Sequence, residues 1–519
     1  MKIVTVDQMQ ALEVAADKAG VTVDALMEKA GLAVADHAIR HLGSPRGARV
    51  LVLVGPGNNG GDGLVAARYL HQWGARVQIY LCAPRKSPDP NFTLAEERGI
   101  PIATVAEDPG LDSLKRHLAS TSLIIDAVLG TGKARPIEGQ MRDILLQVAD
   151  ARRHQAKPLL AVDLPTGLDA DTGAVDPACP GADITVTLGY PKIGHFTFPG
   201  AATTGRLEIA DIGIPPGLDG GITLELVTPE MVRPMLPSRP IEAHKGSFGR
   251  LLVVAGSRNY VGASYLACLG AYRAGAGLVT LATPRGVYPI AAAKLTETTY
   301  LPLPETWSGS INSKAASDVM KALEGYAALS VGCGLSQDPE TQLFVHELLL
   351  DNPALADIPT VLDADALNAL TQVKDWPDHL KNHAVLTPHP GEMARLTGMS
   401  TAQVQEHRLE VARKYAQQWR QVLVLKGAFT VVASPQGAAR ISPFANPGLA
   451  SAGTGDVLAG VIGGLLAQGL SPLDAATCGV YLHGAAGEEL RHQLGDAGLL
   501  ASDLLPEIPR RIKALKGST

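Results

Sequence analysis

Apolar and polar positions along this 519-residue chain fall into a repeating alternation of short, continuously apolar runs and longer segments of helical period. In the first half the runs at 50–54, 77–81, 123–129, 159–163, 184–188 and 207–209 predict strands. Because they are apolar throughout rather than at alternate positions, they predict strands covered on both faces, the habit of a parallel sheet in a βαβ fold. A helix is expected at about 63–73, and 9–39 reads as two amphipathic helices. The second of these spans 24–39, with Leu26, Ala30 and Val34 at i, i+4 spacing. Between 213 and 248 the pattern lapses into prolines and glycines, which places a domain boundary near 225. It then restarts with strands at 251–255, 278–282, 328–331, 360–362, 384–386, 422–425 and 430–433 and helices at 261–274 and 457–466. The expectation is an α/β protein of two domains, 1–225 and 226–519, each with its own sheet, and no repeat period suggests a solenoid.

Composition narrows the function without naming it. With 46% hydrophobic and 18% charged residues the chain can build large aliphatic cores, and its 22 aromatics offer few base-stacking platforms. Net charge is −6, and no basic run is longer than Arg152-Arg153 or Arg510-Arg511, so no nucleic-acid partner is expected. The five cysteines are scattered, with no Cys-x-x-Cys, which argues against a disulfide framework or a zinc site. Residues 1–20 lack an apolar targeting core, and the apolar stretch 457–470 is too short to span a bilayer. A cytoplasmic location is expected.

Several segments carry chemistry. In Asn446-Pro-Gly-Leu-Ala-Ser-Ala-Gly-Thr-Gly-Asp456, glycines at 453 and 455 let backbone amides approach a phosphate where a helix begins. Asp456 then stands where it can take a proton from an attacking alcohol. The plainer alternative is a capped, buried helix. In the first half Asn58-Asn59-Gly60-Gly61-Asp62-Gly63 follows a strand and offers amides to a pyrophosphate and oxygens to a hard cation, although Asn-Gly and Asp-Gly are also ordinary turn residues. Asp126 and Asp163 end two further strands, and the carboxyl ends of parallel strands share one crevice, so Asn59, Asp126 and Asp163 are candidates to converge.

Taken together, Leu-Met-Glu-Lys-Ala-Gly31, Asn-Asn-Gly-Gly-Asp-Gly63, Asp126 with Gly-Thr-Gly132, and Asp-Leu-Pro-Thr-Gly167 resemble the YjeF N-terminal family of NAD(P)HX epimerases over about residues 1–220. The resemblance implies a Rossmann-like domain in which Asn58, Asn59, Gly60, Gly61 and Asp62, with Gly130, Thr131, Gly132, Lys133, Ala134, Arg135 and Pro136, hold the hydrated nucleotide. Asn59, Asp126 and Thr166 would bind a potassium ion, and Asp163 would act beside the reacting ring carbon.

The second half orders His-Lys-Gly246, Ala-Gly-Ala-Gly277, Gly332-Cys-Gly334, Leu-Asp-Ala-Asp-Ala-Leu367, Thr-Pro-His-Pro-Gly-Glu392, Lys426-Gly-Ala-Phe-Thr430 and the Gly-Thr-Gly-Asp turn. That order resembles the ribokinase-like ADP/ATP-dependent NAD(P)HX dehydratases over about 235–510. The resemblance implies that Lys426, Gly427, Ala428, Phe429, Thr430 and Gly455 bind the adenylate, whereas Ala263, Gly334, His389 and the catalytic Asp456 face the hydrated nicotinamide. Mg²⁺ would assist, with Glu392 near it through water; Asp363 and Asp365 read as helix caps. Relatives usually show Gly-Pro-Gly-Leu-Gly where this chain has Gly332-Cys333-Gly334-Leu335-Ser336. The implied activity is repair of NADHX and NADPHX by epimerisation and by ADP- or ATP-driven dehydration, in a chain expected to form a homo-oligomer. Two alternatives stay open: a ribokinase-like small-molecule kinase with an accessory nucleotide-binding domain, and a non-catalytic scaffold.

Overall fold

The computed structural model describes residues 1–132 and 136–517. The chain divides into two compact units, Lys2–Ile222 and the segment from Thr223 onward together with Met1.

The first unit is built on strands β1 (Arg49–Val54), β2 (Arg76–Leu81), β3 (Ile102–Thr104), β4 (Leu123–Ala127), β5 (Leu159–Val162), β6 (Ile184–Leu188) and β7 (Arg206–Ala210). They pair in the order β3-β2-β1-β4-β5-β6-β7, every pair parallel. The continuous apolar runs are explained by this arrangement. Val50, Val52 and Val54 enter a core shared with the helices Val23–Leu42 and Asn58–Gln72, while Leu51 and Leu53 enter a second core with Leu114, Leu118, Ile144 and Val148. Strand order reverses between β1 and β4, the switch point where an open α/β sheet leaves a crevice beyond its carboxyl ends. The backbones close tightly there: a Cβ on Gly55 would lie 1.8 Å from the Val128 carbonyl oxygen.

The helix after β1 starts at Asn58 rather than near 63, so the Asn-Asn-Gly-Gly-Asp-Gly segment is its opening turns and not a loop before it. Packing explains the difference. Gly60 lies against the Gly55 carbonyl, Gly61 against the Met27 thioether and Gly63 against Ala127, so side chains at 60 and 63 would hold the helix off the sheet and one at 61 would press on the helix Val23–Leu42.

In the second unit β8 (Leu224–Leu226), β9 (Arg250–Val254), β10 (Leu278–Pro284), β11 (Thr299–Leu303), β12 (Ala328–Val331), β13 (Thr360–Leu362), β14 (Ala384–Leu386), β15 (Val422–Leu425), β16 (Val431–Ala433) and β17 (Ala439–Ile441) form a ten-stranded sheet. Its order is β11-β10-β9-β12-β13-β14-β15-β16-β17-β8, parallel except where β16 meets β15 and β17. The strands absent from the sequence pattern are β8, β11 and β17. Two lie at the sheet's edges, and all three are short or half-exposed, so they need no continuous apolar run. No helix among the described residues is long and apolar enough to cross a membrane.

The helices Val261–Ala274 and Thr454–Ala467 lie across this sheet and approach through glycine. A Cβ on Gly270 would come within 2.6 Å of the Val457 carbonyl oxygen, one on Gly460 within 2.1 Å of the Ala267 oxygen, and one on Gly464 within 2.6 Å of the Ala271 oxygen. This contact fixes the height at which the Gly-Thr-Gly-Asp turn meets the strand ends. Gly460→Ala should therefore cost about 1–3 kcal/mol through overpacking, despite the better helix propensity of Ala. Calorimetry of the full chain should show the transition of the second unit lowered and that of the first unchanged.

Candidate functional sites

In the first unit a cavity of about 1210 Å³ opens at the β1/β4 switch, lined in part by Glu13, Asn59, Asp62, Gly130, Asp163 and Lys192. Asp126, at the end of β4, is fully buried. Its Oδ2 accepts the Thr166 backbone N–H at 2.9 Å, and its Oδ1 accepts the Thr166 hydroxyl at 2.6 Å and the Val128 N–H at 3.2 Å. The Thr166 hydroxyl in turn accepts the Leu129 N–H at 3.0 Å, so the turns after β4 and β5 are sewn together. Burial pushes the Asp126 carboxyl up, and among the described residues its oxygens meet three neutral donors and no basic side chain within ion-pair distance. Asn59 stands against Gly130, and its side-chain nitrogen is buried without a partner. Nothing holds that amide against the rotation that would turn its oxygen inward. An oxygen-only set with an uncompensated carboxylate suits a hard cation.

Asp163 follows β5 with φ +67°, a left-handed conformation unusual for a residue with a Cβ and one that persists when the surroundings hold it. Its Oδ1 accepts from the Lys192 ammonium, from the Thr187 hydroxyl at 3.1 Å and from the Leu188 N–H at 3.0 Å. Two further acids face this charge. Burial, and then Asp163 itself, pushes Asp62 well above the usual carboxylate range and raises Glu13. Gly60 and Gly61 are buried within the helix start, Thr131 and Gly132 lie at the cavity rim with Pro136, and Lys133, Ala134 and Arg135 lie outside the described residues.

The second unit gathers its charges where β12, β13, β14 and β15 end. Lys426, just past β15, donates to Asp363 Oδ1 at 2.6 Å, and its ammonium lies 3.9 Å from Glu392 Oε2. Thr387 donates to the same Asp363 oxygen at 2.7 Å. Burial lowers the Lys426 pKa, but Asp363 and Glu392 more than offset it and leave it raised. Asp456 sits in the first turn of Thr454–Ala467, where the free amides and the helix dipole favour negative charge. Burial and the nearby Asp363 charge nevertheless push its carboxyl up to about 6, and Glu392 is pushed up to about 7, chiefly by burial. Three carboxylates around one lysine form a cluster whose charge suits a divalent cation.

Sequence reasoning missed Asp363, reading it as a cap, whereas its carboxylate anchors Lys426 at the centre of this cluster. The signal available was the one used for Asp163, a carboxylate at the end of a parallel strand. It also missed Cys333. The thiol is buried 4.0 Å from Asp363 Oδ2, and one ligand atom from each of Cys333, Asp363 and Asp456 falls within 4.8 Å of the others. Despite the cysteine, the loop keeps positive φ at Gly332 and Gly334, and Ser336 adopts φ +72°, a conformation that favours glycine. Gly334 packs against Tyr260 and Ala263, bringing two expected substrate contacts together. His389 caps the helix Pro390–Thr397: its Nδ1 accepts the Gly391 N–H at 3.0 Å and its Nε2 lies 3.3 Å from Glu392 Oε1. Phe429, at φ +52°, donates its N–H to the Phe444 oxygen, and the Thr430 hydroxyl donates to the Gly427 oxygen. Gly427 and Ala428 are exposed, and Gly455 lies beside the Lys426 ammonium.

Two parallel-sheet units with acid-lined crevices define a class of α/β nucleotide enzymes, and comparison with known proteins narrows it. Residues 23–194 match the family model of the YjeF-related protein N-terminus, and residues 251–510 match that of NAD(P)H-hydrate dehydratase. The bifunctional NAD(P)H-hydrate repair enzyme Nnr of Moorella thermoacetica is 44% identical over 501 residues, 95% of this chain and 92% of its own. That of Thermofilum pendens is 37% identical over 524 residues, 99% and 97% of the two chains. Among solved structures, an ADP/ATP-dependent NAD(P)H-hydrate dehydratase from Bacillus subtilis, co-crystallised with ATP and Mg²⁺, is 38% identical over 56% of this chain and 99% of its own, with a TM-score of 0.48. The chain belongs to the bifunctional NAD(P)H-hydrate repair enzyme family.

Removing one member of a buried ion pair leaves the other uncompensated, at a cost of about 3–5 kcal/mol. Because Lys426 keeps 18% of its side chain exposed, Asp363→Ala should fall at or below the lower end of that range. Urea unfolding of the full chain, followed by a probe in the second unit, measures it.

Proposed function

We propose that this protein repairs hydrated nicotinamide nucleotides, interconverting the C6 epimers of NADHX and NADPHX in the first unit and dehydrating one epimer to NADH or NADPH in the second, at the expense of ADP or ATP. The observation that carries the reading is the pair of dissimilar carboxylate sites on one chain: Asp163 beside a deep cavity, and Asp456 at the amino end of a glycine-opened helix.

The hydroxyl on C6 is a poor leaving group until it is phosphorylated. Asp456 takes the hydroxyl proton as the oxygen attacks the terminal phosphorus, and the amides of the 453–456 turn accept the charge that develops on the transferred group. Lys426 holds Asp363, which keeps a second negative charge near Asp456 and so leaves it basic enough to take the proton. Phosphate then departs with the C6–O bonding pair while the ring nitrogen lone pair forms the iminium, and loss of a C5 proton completes the dihydropyridine. Bound Mg²⁺ supplies charge neutralisation on the phosphates, and Glu392 fits a role in holding it through water. The Lys426–Thr430 turn and Gly455 bind the adenylate; Ala263, Gly334 and His389 line the nicotinamide side. In the first unit Asn58–Asp62 and Gly130–Pro136 bind the nucleotide, while Asn59, Asp126 and Thr166 would hold K⁺, which supplies a fixed positive charge beside it. A homo-oligomer in the cytoplasm completes the proposal. A kinase that stops at a stable phosphoester would need the same base but would release no inorganic phosphate; family membership favours repair.

The purified protein with mixed NADHX epimers, Mg²⁺, K⁺ and either ADP or ATP should regenerate NADH from both epimers with matching phosphate release. The nucleotide that supports turnover identifies the phosphoryl donor, and no NADH with either would refute the proposal. Because Asp456 must be deprotonated to act, dehydration should fall as pH drops through about 6, and Asp456→Asn should lose about 100-fold or more of the rate across the whole pH range.

A further inference from the structure

Among the described residues Lys192 is the most thoroughly buried cation in the first unit, with no side-chain exposure, and nothing in the family reading gives it a task. It lies in the turn after β6, at the floor of the cavity beneath Asp163. Its ammonium has three protons and three acceptors: Asp163 Oδ1, the Thr187 hydroxyl at 3.2 Å and the Leu188 carbonyl at 3.2 Å.

A histidine fixes the pair from the other side. His195 Nδ1 lies 3.0 Å from the Lys192 backbone N–H, which only donates, and Nε2 lies 3.1 Å from the Asp163 carbonyl oxygen, which only accepts. These partners admit one form of the ring, neutral with its proton on Nε2. Burial, with the Lys192 charge, drives its pKa down to about 3, so this form persists through the physiological range. His195 is thus a non-titrating strut between the backbones of Lys192 and Asp163, holding the left-handed conformation of Asp163.

The consequence lies in how the Asp163 donors are distributed. Lys192, Thr187 and the Leu188 N–H all converge on Oδ1, and among the described residues none reaches Oδ2. One oxygen is saturated and oriented; the other is left to the cavity. We infer that Lys192 and His195 are positioning residues for epimerisation, which lock Asp163 so that Oδ2 is the atom that takes the substrate's proton, with Asp62 returning one. The inference rests on the epimerase reading of this unit.

The step balances without a co-reactant. Oδ2 takes the C6 hydroxyl proton, the O–H pair becomes the second bond of a C6 carbonyl, and the C6–N1 bond breaks with its pair moving to N1. The Asp62 carboxyl lines the same cavity, and burial and the Asp163 charge raise it well above the usual carboxylate range; it gives its proton to N1. Rotation about C5–C6 presents the other face of the carbonyl, and the protons return as the ring recloses. One carboxylate fixed by three donors and a second carboxyl raised by burial beside it provide such a base and acid.

The test follows disappearance of one purified NADHX epimer in the full-length protein without ADP or ATP, so that dehydration is silent. Lys192→Met should lower kcat for epimerisation by about 100-fold or more while KM stays within about threefold. Dehydration of the other epimer, once ADP or ATP is added, should stay unchanged and serves as an internal control. Should Lys192→Met lose the melting transition of the first unit, Thr187→Val decides: removing one donor to a charged oxygen should lower kcat about tenfold at unchanged KM and melting. A folded variant of either kind with wild-type kcat would overturn the inference and leave the pair a structural ion bridge. If the wild-type protein itself fails to epimerise, it is the epimerase reading that falls.

Discussion

Burying a carboxylate is costly unless something nearby holds its charge, and in each unit of this protein a lysine holds one such carboxylate. Lys192 holds Asp163 in the first, and Lys426 holds Asp363 in the second. In each case the fixed negative charge adds to burial in raising a neighbouring carboxyl, Asp62 in one unit and Asp456 in the other. The same arrangement serves opposite ends. On the proposed reading Asp163 is the base and its raised neighbour gives the proton, whereas Asp456, raised to about 6, is itself a base strong enough to take a proton from an alcohol yet still largely deprotonated at neutral pH.

The parallel sheets make this possible. Strands buried on both faces leave only their carboxyl ends for polar side chains, so residues far apart in sequence arrive at one edge without a dedicated scaffold. Asp126 lies near the carboxyl end of β4, Asp163 and Lys192 follow β5 and β6, and Asp363, Thr387 and Lys426 follow β13, β14 and β15. Glycine sets the remaining distances, as at Gly55 between strand ends and at Gly460 between the helices that carry Asp456 into place.

How much of this was legible follows from the same physics. Strands 328–331, 360–362, 384–386 and 422–425 and the helix 261–274 could be read to the residue, because each is a short apolar run or clear period flanked by breakers. The edge strands β3, β8 and β11 and the short β17 could not, since an edge needs little hydrophobicity. The helix start at Asn58 was hidden because glycines that permit close packing look like turn residues. At the sites, the strand-end rule pointed to Asp126 and Asp163, whereas Lys192 and His195, in a Pro-Lys-Ile-Gly-His stretch, resemble an ordinary solvated turn. Only the fold reveals that both are buried. Asp363 obeys the strand-end rule as well as Asp163 does, but its place before a helix favoured reading it as a cap.

The central claim is that one chain carries two separable chemistries, each dependent on its own carboxylate. A mixing experiment tests it most directly: an Asp163→Asn protein and an Asp456→Asn protein, assayed alone and together on the epimer that cannot be dehydrated directly, with ADP or ATP present. Each variant alone should leave that epimer unrepaired, and the mixture should convert it fully to NADH, faster than uncatalysed epimerisation permits. A mixture no better than either variant alone, or a single variant that completes the repair, would contradict the account.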